Sequence, residues 1–311
     1  MSYCKRTYLW MTLDPVHIGT GGYRLGRVDL SIAREPGTNL PKIPGTSLSG
    51  AARSYAAMKH GSPRCAGQGD HCTDPHCPIC YTFGSLEVKQ DGEQRAYAGT
   101  INIFDAHMLL FPVYSMAGPV WVTCPERLAL ADVHDYEKPT GDQIAVGAGI
   151  QTPQNQLNLG WLLLEVERND LALRGAVLQG QAWQAMQDRV VLVSDKLFGQ
   201  IVNANLEVRT SVSINPETGA AEEGALFTYE AIPRSAFMIS EIVEDSFRKD
   251  TFPQNGHDWQ HPRDVADAGL KMVEWLGVGG MGTRGFGRMR VIHAVDAADD
   301  SVTKAEGGRD A

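Results

Sequence analysis

Apolar residues recur along this chain mostly at every second position, in runs short enough for strands, and at three- and four-residue spacing in two places. "TYLWMTLD" (7–14) reads as a strand that breaks at Asp14-Pro15, and "GRVDLSIARE" (26–35) as an extended run after a glycine-rich turn. "PKIPGTSLSGAARSYAAM" (41–58) is a proline-bounded entry into a helix, with Thr46 and Ser47 as its caps. "AGTINIFDAHMLLFPV", "GPVWVTCPERLAL" and "LGWLLLEVE" supply further strands, and residues 130–185 mix loops with extended segments. "NLEVRTSVSINPETGAAEEGALFTYEAIP" alternates, turns at Asn215 to Gly219 and alternates again, which predicts a long hairpin whose tip, poor in large apolar groups, projects from the core. Val265, Ala268, Met272, Val273 and Leu276 line one face of a second helix that Asp264 would cap, followed by the strand "FGRMRVIHAV". Strands separated by two helices, with no fixed-period repeat, predict one elaborated α+β domain over residues 1–295.

Between that helix and that strand lies "GVGGMGTRGFGRMRV" (277–291), in which Gly280, Gly282 and Gly285 satisfy the spacing of a dinucleotide-binding loop. Such a loop leaves a strand and opens a helix, because the pyrophosphate sits on the helix N-terminus. Here the order is reversed, so a nicotinamide cofactor is not expected. A helix C-cap and tight turn would account for some of the glycines. Five of them beside Arg284, Arg288 and Arg290 also make an open backbone next to cations, which suits a phosphate chain.

The chain has 311 residues and is 43% hydrophobic, enough for a substantial core. Its start holds no apolar run long enough for a signal peptide and no uncharged stretch reaches membrane-spanning length, so a cytoplasmic protein with no membrane partner is expected. The formal net charge of -9 argues mildly against indiscriminate nucleic-acid binding, although net charge says little about a local groove. Part of it comes from "DAADDSVTKAEGGRDA" (296–311), which reads as a disordered acidic tail.

Four of the six cysteines, Cys65, Cys72, Cys77 and Cys80, fall within "CAGQGDHCTDPHCPIC". Without a secretory signal, that spacing favours metal over disulfides. Four thiolates close a tetrahedral structural Zn²⁺ site with no open position for water, and zinc can organise a segment (60–82) that has few apolar residues of its own. His71 or His76 replacing one cysteine is an alternative ligand set, and free or redox thiols are the plain alternative.

"PVHIGTGGYRLGRVDLSIAREPGTNLPKIPGTSLSGAARSYA", "CPICYTFGS", "INIFDAHMLLFPVYSMAGPVWVTCPERL", "EGALFTYEAIP" and "VGGMGTRGFGRMRV" together resemble the RAMP superfamily of CRISPR effector subunits, in that family's order over nearly the whole chain. More narrowly, the chain is similar to the repeated backbone subunit of the Cmr-type (type III-B) RNA-targeting complex. Its C-P-x-C-x-x-F-G element resembles the zinc-bearing backbone subunit of the Csm-type complex.

The resemblance implies an RRM-like (ferredoxin-type) β-α-β core with insertions, a zinc-stabilised loop and a projecting thumb hairpin (205–230) that parts the guide–target duplex at intervals. It implies guide RNA, complementary target RNA, further copies of the chain and other effector subunits as partners; the irregular stretch 130–185 is the expected place for contacts with those other subunits. Ser47, Arg53, Gly279, Gly280, Gly282, Arg284, Gly285, Gly287 and Arg288 would contact guide RNA, holding it by its backbone without reading sequence. Ser49 stands where the family usually has a lysine, a lost cation that Lys42 or Lys59 would replace. Asp29 matches the aspartate on which target cleavage depends, either placing Mg²⁺ or accepting the 2'-hydroxyl proton to give a 2',3'-cyclic phosphate, with His17 and Glu230 assisting. Without the resemblance, Asp29 reads as a turn residue, His17 as a strand-end hydrogen-bonder and Glu230 as a solvated strand residue. A scaffold that binds guide RNA without cleaving, and a zinc-stabilised enzyme acting on a small molecule, are the rival functions; for the second there is no nucleophile elbow, Walker loop or metal-opening histidine pair.

Overall fold

The computed structural model describes residues 3–21, 28–67, 71, 72, 74, 76–88, 94–222, 226–245, 248, 251–253 and 258–297, with the backbone alone at Glu87, Val88 and Gln94. The chain opens with β1 (Tyr3–Thr12), which ends just before Asp14-Pro15 as its sequence predicts. Helix α1 (Gly45–His60) follows, then the short helix α2 (Pro78–Phe83) and the hairpin of β2 (Ala106–Ser115) and β3 (Gly118–Thr123). A separate two-stranded ribbon pairs β4 (Glu207–Ser211) with β5 (Phe227–Ala231). The chain then forms β6 (Phe237–Asp245), α3 (Pro262–Leu276) and β7 (Met289–Asp296).

An eleven-stranded, mostly antiparallel sheet is the backbone of the fold. One end runs in the order β7-β1-β6-β2-β3, and short strands at 190–192, 144–146, 162–168 and 156–159 continue it to the other end. β1 pairs antiparallel with both β6 and β7, and β6 pairs antiparallel with β2. Alternation along β1 sends Tyr8 and Trp10 into a core shared with Leu48, Ala52, Leu270 and Val273 of the helices, and Leu9 into a second core with Phe237, Ile239 and Trp183. The sheet is therefore covered on both faces, which explains the near-continuous apolar run of β2.

α1 and α3 pack with their backbones in contact: a Cβ on Gly269 would lie 2.0 Å from the carbonyl oxygen of Ala52. This approach fixes where α1 begins relative to the loop after α3. Neither cap is the one the sequence suggests. α1 starts at Gly45, before Thr46 and Ser47, and has no side-chain cap of its own; the Gly45 N–H donates instead to Asp105 Oδ1 at 2.8 Å, while Lys42 Nζ holds the other oxygen at 2.5 Å. α3 starts at Pro262 behind His261, and the carboxylate of Asp264 accepts the His261 N–H from inside the first turn.

"GRVDLSIARE" differs from the expected strand, since its described part makes only isolated bridges at Leu30, Ile32 and Arg34. Its partners are single positions on other segments, so no continuous ladder forms. Asp296, expected in the tail, is the last residue of β7 and accepts both Arg6 and Arg263; residues 298–311 of that tail lie outside the described residues. Among the described residues no helix is long and apolar enough to cross a membrane.

Candidate nucleic-acid interface and cysteine cluster

The first turn of α1 and the glycine-rich loop after α3 face each other across an open cleft of about 370 Å³, lined by Thr46, Ser47, Gly50, Tyr55, Gly279, Gly282 and Phe286 among others. Tyr55 Oη donates to the Gly277 carbonyl at 2.7 Å and ties the two walls together; its burial raises the phenol's pKa, so it stays a donor. Ser47 lines one wall of this cleft.

The loop's glycines divide into two kinds. At Gly279, φ is 86°, and an added Cβ would lie 2.5 Å from the His17 carbonyl oxygen. Gly287, at φ 94°, donates its N–H to Pro15 O at 2.9 Å, and its Cβ would lie 2.5 Å from Val278 O. These two seat the loop against the segment after β1, as does the Gly280 N–H on His17 O at 2.9 Å. Gly282 and Gly285 have nothing within 4 Å of where a side chain would be, so that side of the loop is open, although the Gly285 N–H already donates to Gly282 O at 3.0 Å.

β5 gathers the rest of the site. Leu30 bridges to Tyr229 and Val16 to Ile232, which brings the segments of Asp29 and His17 alongside one strand. Asp29 is exposed, and its Oδ2 accepts the Thr228 N–H at 2.7 Å and the Thr228 hydroxyl at 2.9 Å. Those bonds hold the Asp29 carboxyl below the usual carboxylate range. Oδ1 has no partner among the described residues. His17 is buried, with Nδ1 2.7 Å from the Glu230 carbonyl oxygen. A carbonyl accepts only, so Nδ1 is the donor of this bond.

Glu230 is placed differently from a solvated acid or an RNA contact. It is buried, Oε1 accepts the Ile32 N–H at 3.1 Å, and Oε2 pairs with Arg34 at 2.9 Å. Its carboxylate anchors the segment that carries Asp29.

Of the predicted cations, Arg284 is exposed and lies 5.8 Å over the Phe227 ring, with no carboxylate partner among the described residues. Arg288 is clamped by Asp14, Nε to Oδ2 at 2.5 Å and Nη2 to Oδ1 at 3.2 Å, which raises its pKa and sets a carboxylate against its charge. Arg53 turns away from the groove: Nε donates to Cys65 O at 2.7 Å, so the residue steadies the cysteine segment. Lys42 is spent on Asp105, and Lys59 lies in the last turn of α1, at the opposite end from Ser47. Neither replaces the missing cation at Ser49.

Cys65, Cys72, Cys77 and Cys80 bring their sulfurs within 4.8 Å of one another. The separations are 3.7 Å for Cys72–Cys80, 3.7 Å for Cys77–Cys65 and 3.6 Å for Cys80–Cys65. His71 is outside this set, since its Nδ1 accepts the Leu86 N–H at 2.8 Å and its Nε2 lies 2.8 Å from Gly67 O.

Thr228 and Asp105, which position Asp29 and α1, carry no sequence signal that singles them out. Asp105 lies inside the quoted "FDA" segment, but its use as a cap across sixty residues of sequence is visible only in the fold.

The RAMP superfamily pattern matches residues 11–290. The CRISPR system Cmr endoribonuclease Cmr4 of Pyrococcus furiosus is 29% identical over 297 residues, spanning 90% of this chain and 92% of the relative. The fold is shared by a type III-B Cmr-beta complex, solved by cryo-electron microscopy bound to cognate target RNA, with a TM-score of 0.63 at 15% identity over 93% of this chain and 97% of that one. It is also shared by oligomeric Cmr4 from Pyrococcus furiosus, with a TM-score of 0.61 at 21% identity over 96% and 100% of the two chains. With its groove, its bridged segments and the family pattern running from β1 into β7, the chain belongs to the RAMP superfamily.

Proposed function

We propose that this chain is a guide-RNA-binding backbone subunit of a type III-B CRISPR effector complex, acting in the cytoplasm, and that the assembled complex cleaves complementary target RNA at regular intervals. The observation that carries this is the placement of Asp29 beside the groove: Phe286 lines the cleft and packs edge-on at 5.6 Å against Tyr229, whose neighbour Thr228 holds Asp29. Guide phosphates would lie along Ser47, the open backbone of Gly282 and Gly285, and Arg284, contacts that accept any sequence. Four antiparallel strands in the order β7-β1-β6-β2, with α1 between β1 and β2 and α3 between β6 and β7 in the chain, support an RRM-like core. The single elaborated domain runs over residues 1–295.

The ribbon of β4 and β5, with Val212, Ile214 and Leu226 exposed, would be the thumb that parts the duplex. Displacing a nucleotide frees its 2'-hydroxyl to come into line with the adjacent phosphate. A carboxylate with a depressed pKa is a weak base, so Asp29 serves better as an anionic ligand than as a proton acceptor. Oδ1, unpartnered among the described residues, fits Mg²⁺, which takes few protein ligands and completes its shell with phosphate and water; such an ion would supply charge stabilisation at the phosphate. His17, its ring oriented by the Nδ1 bond to the Glu230 carbonyl, would assist through Nε2 as an acid or an RNA contact.

Cys65, Cys72, Cys77 and Cys80 fit a structural Zn²⁺. Zinc–sulfur bonds of about 2.3 Å put tetrahedral sulfurs about 3.8 Å apart, close to the observed separations. Zinc there would hold α2 against the end of α1 and take no part in cleavage.

The test is an end-mapped cleavage assay with assembled complex, guide, labelled complementary RNA and Mg²⁺. Evenly spaced products that vanish in Asp29→Ala while target binding persists are expected. An active Asp29→Ala complex would sink the assignment, and tight binding with no wild-type ladder would leave a scaffold.

A further inference from the structure

Asp29 is an exposed residue on a segment without a continuous strand, a setting in which a carboxylate ordinarily samples several rotamers. Here Thr228 restrains it through both its backbone and its side chain. Thr228 donates its N–H to Asp29 Oδ2 at 2.7 Å and its hydroxyl to the same oxygen at 2.9 Å; that hydroxyl accepts the Asp29 N–H at 3.2 Å, and the Thr228 carbonyl accepts the Leu30 N–H at 3.0 Å. The donors and acceptors are mutually consistent. The hydroxyl's single proton goes to Oδ2 and a lone pair takes the Asp29 N–H. Both donors converge on Oδ2, which leaves Oδ1 without a partner among the described residues.

We propose that Thr228 is the positioning residue of the cleavage site, fixing the Asp29 carboxylate through its hydroxyl so that one oxygen meets the RNA. This inference rests on the nuclease assignment above. Thr228 lies in β5 directly opposite Thr210 of β4, so the strand that holds the carboxylate is itself half of the projecting ribbon. The two tasks of the site are thereby mechanically joined. A ribbon seated in the duplex fixes the register of β5, and β5 fixes Asp29 against the nucleotide it exposes. Only threonine or serine supplies the hydroxyl, and threonine's β-branch also suits the strand.

Thr228→Val keeps the shape, the strand propensity and the backbone N–H, and removes only the hydroxyl. Thr228→Ser restores the hydroxyl. Single-turnover cleavage by assembled complex, with target affinity measured in parallel, separates positioning from binding. The expected result is a rate roughly 10- to 100-fold lower in Thr228→Val, the range for one hydrogen bond to a charged group, with unchanged target affinity and recovery in Thr228→Ser. A Thr228→Val complex as fast as wild type, beside an inactive Asp29→Ala complex, overturns the role of Thr228 and leaves the nuclease assignment standing. Equal slowing in the valine and serine variants also overturns it, because the hydroxyl would then not be the cause. Cleavage by Asp29→Ala removes the nuclease assignment and this inference with it.

Discussion

Replacing Gly279 or Gly282 with alanine separates the two jobs of the glycine-rich loop. At Gly279 the backbone is left-handed, at φ 86°, which costs a residue with a side chain about 1–2 kcal/mol. The new methyl would also lie 2.5 Å from the His17 carbonyl oxygen and 2.4 Å from Ile18 Cδ1. The isoleucine can rotate, whereas the carbonyl also accepts the Gly280 N–H and cannot move without losing it. Forced contacts of this kind cost roughly 1–3 kcal/mol. Together these give about 2–5 kcal/mol, or a fall in Tm of roughly 3–8 °C for a chain of this size. Gly282 has no neighbour within 4 Å and no left-handed φ, so alanine there should change stability by no more than about 0.5 kcal/mol. If its backbone receives a guide phosphate, the same methyl should weaken guide binding by roughly 10-fold. Thermal denaturation of the isolated chain and fluorescence anisotropy with guide RNA at one fixed salt concentration measure both quantities. An unchanged Tm in Gly279→Ala would refute the packing account, and undiminished guide binding by a stable Gly282→Ala would refute phosphate contact at the open glycines.

Mass spectrometry of the metal content should find one zinc per chain, lost in Cys80→Ser together with order in the segment around α2; retention of zinc after removal of both Cys65 and Cys80 would count against the four-sulfur site. Glu35 supplies a pH prediction: burial pushes its pKa up, but hydrogen bonds from His107 and Thr38 and the Arg127 guanidinium outweigh burial and bring it down to about 2. A carboxyl held below its unfolded value of 4.5 adds stability that is present above that pH and lost as pH falls towards 2. Glu35→Gln should therefore flatten the acid unfolding curve in that window, and an unaltered curve followed by circular dichroism would show that another group sets it.

The site was legible in the sequence where one segment carries its own signal. The helix–glycine–strand order around residues 262–296 excludes a dinucleotide loop on local grounds, and the spacing of four cysteines anticipates the sulfur cluster. Asp29 is different. Nothing local distinguishes it from a turn residue, and it was found through family resemblance. Arg53 illustrates the limit from the other side: its place in the motif suggested RNA, while its guanidinium reaches Cys65 O because the cysteine segment folds back over α1. Glu230 alternates as a solvated strand residue would, yet Arg34 and the Ile32 N–H enclose it.

By itself the sequence determined the flanking core strands and the helices at 45–60 and 262–276, the hairpin with its Asn215–Gly219 turn, the metal-type cysteine spacing and the superfamily, because each is written in periodicity, turn chemistry or a contiguous motif; the core helix Asp195–Ala204 and the broken strand at 26–35 were not legible there. Only the tertiary structure decided which glycines are open, which arginines are free, and which residue holds Asp29. Those outcomes depend on partners distant in the chain: Thr228 meets Asp29 across 199 positions, Asp14 takes Arg288 across 274, and Asp105 caps α1 across 60. A side chain's hydrogen-bonding capacity is fixed by its type, but the group that uses it is chosen by packing of the whole sheet and its helices, and no local pattern encodes that choice.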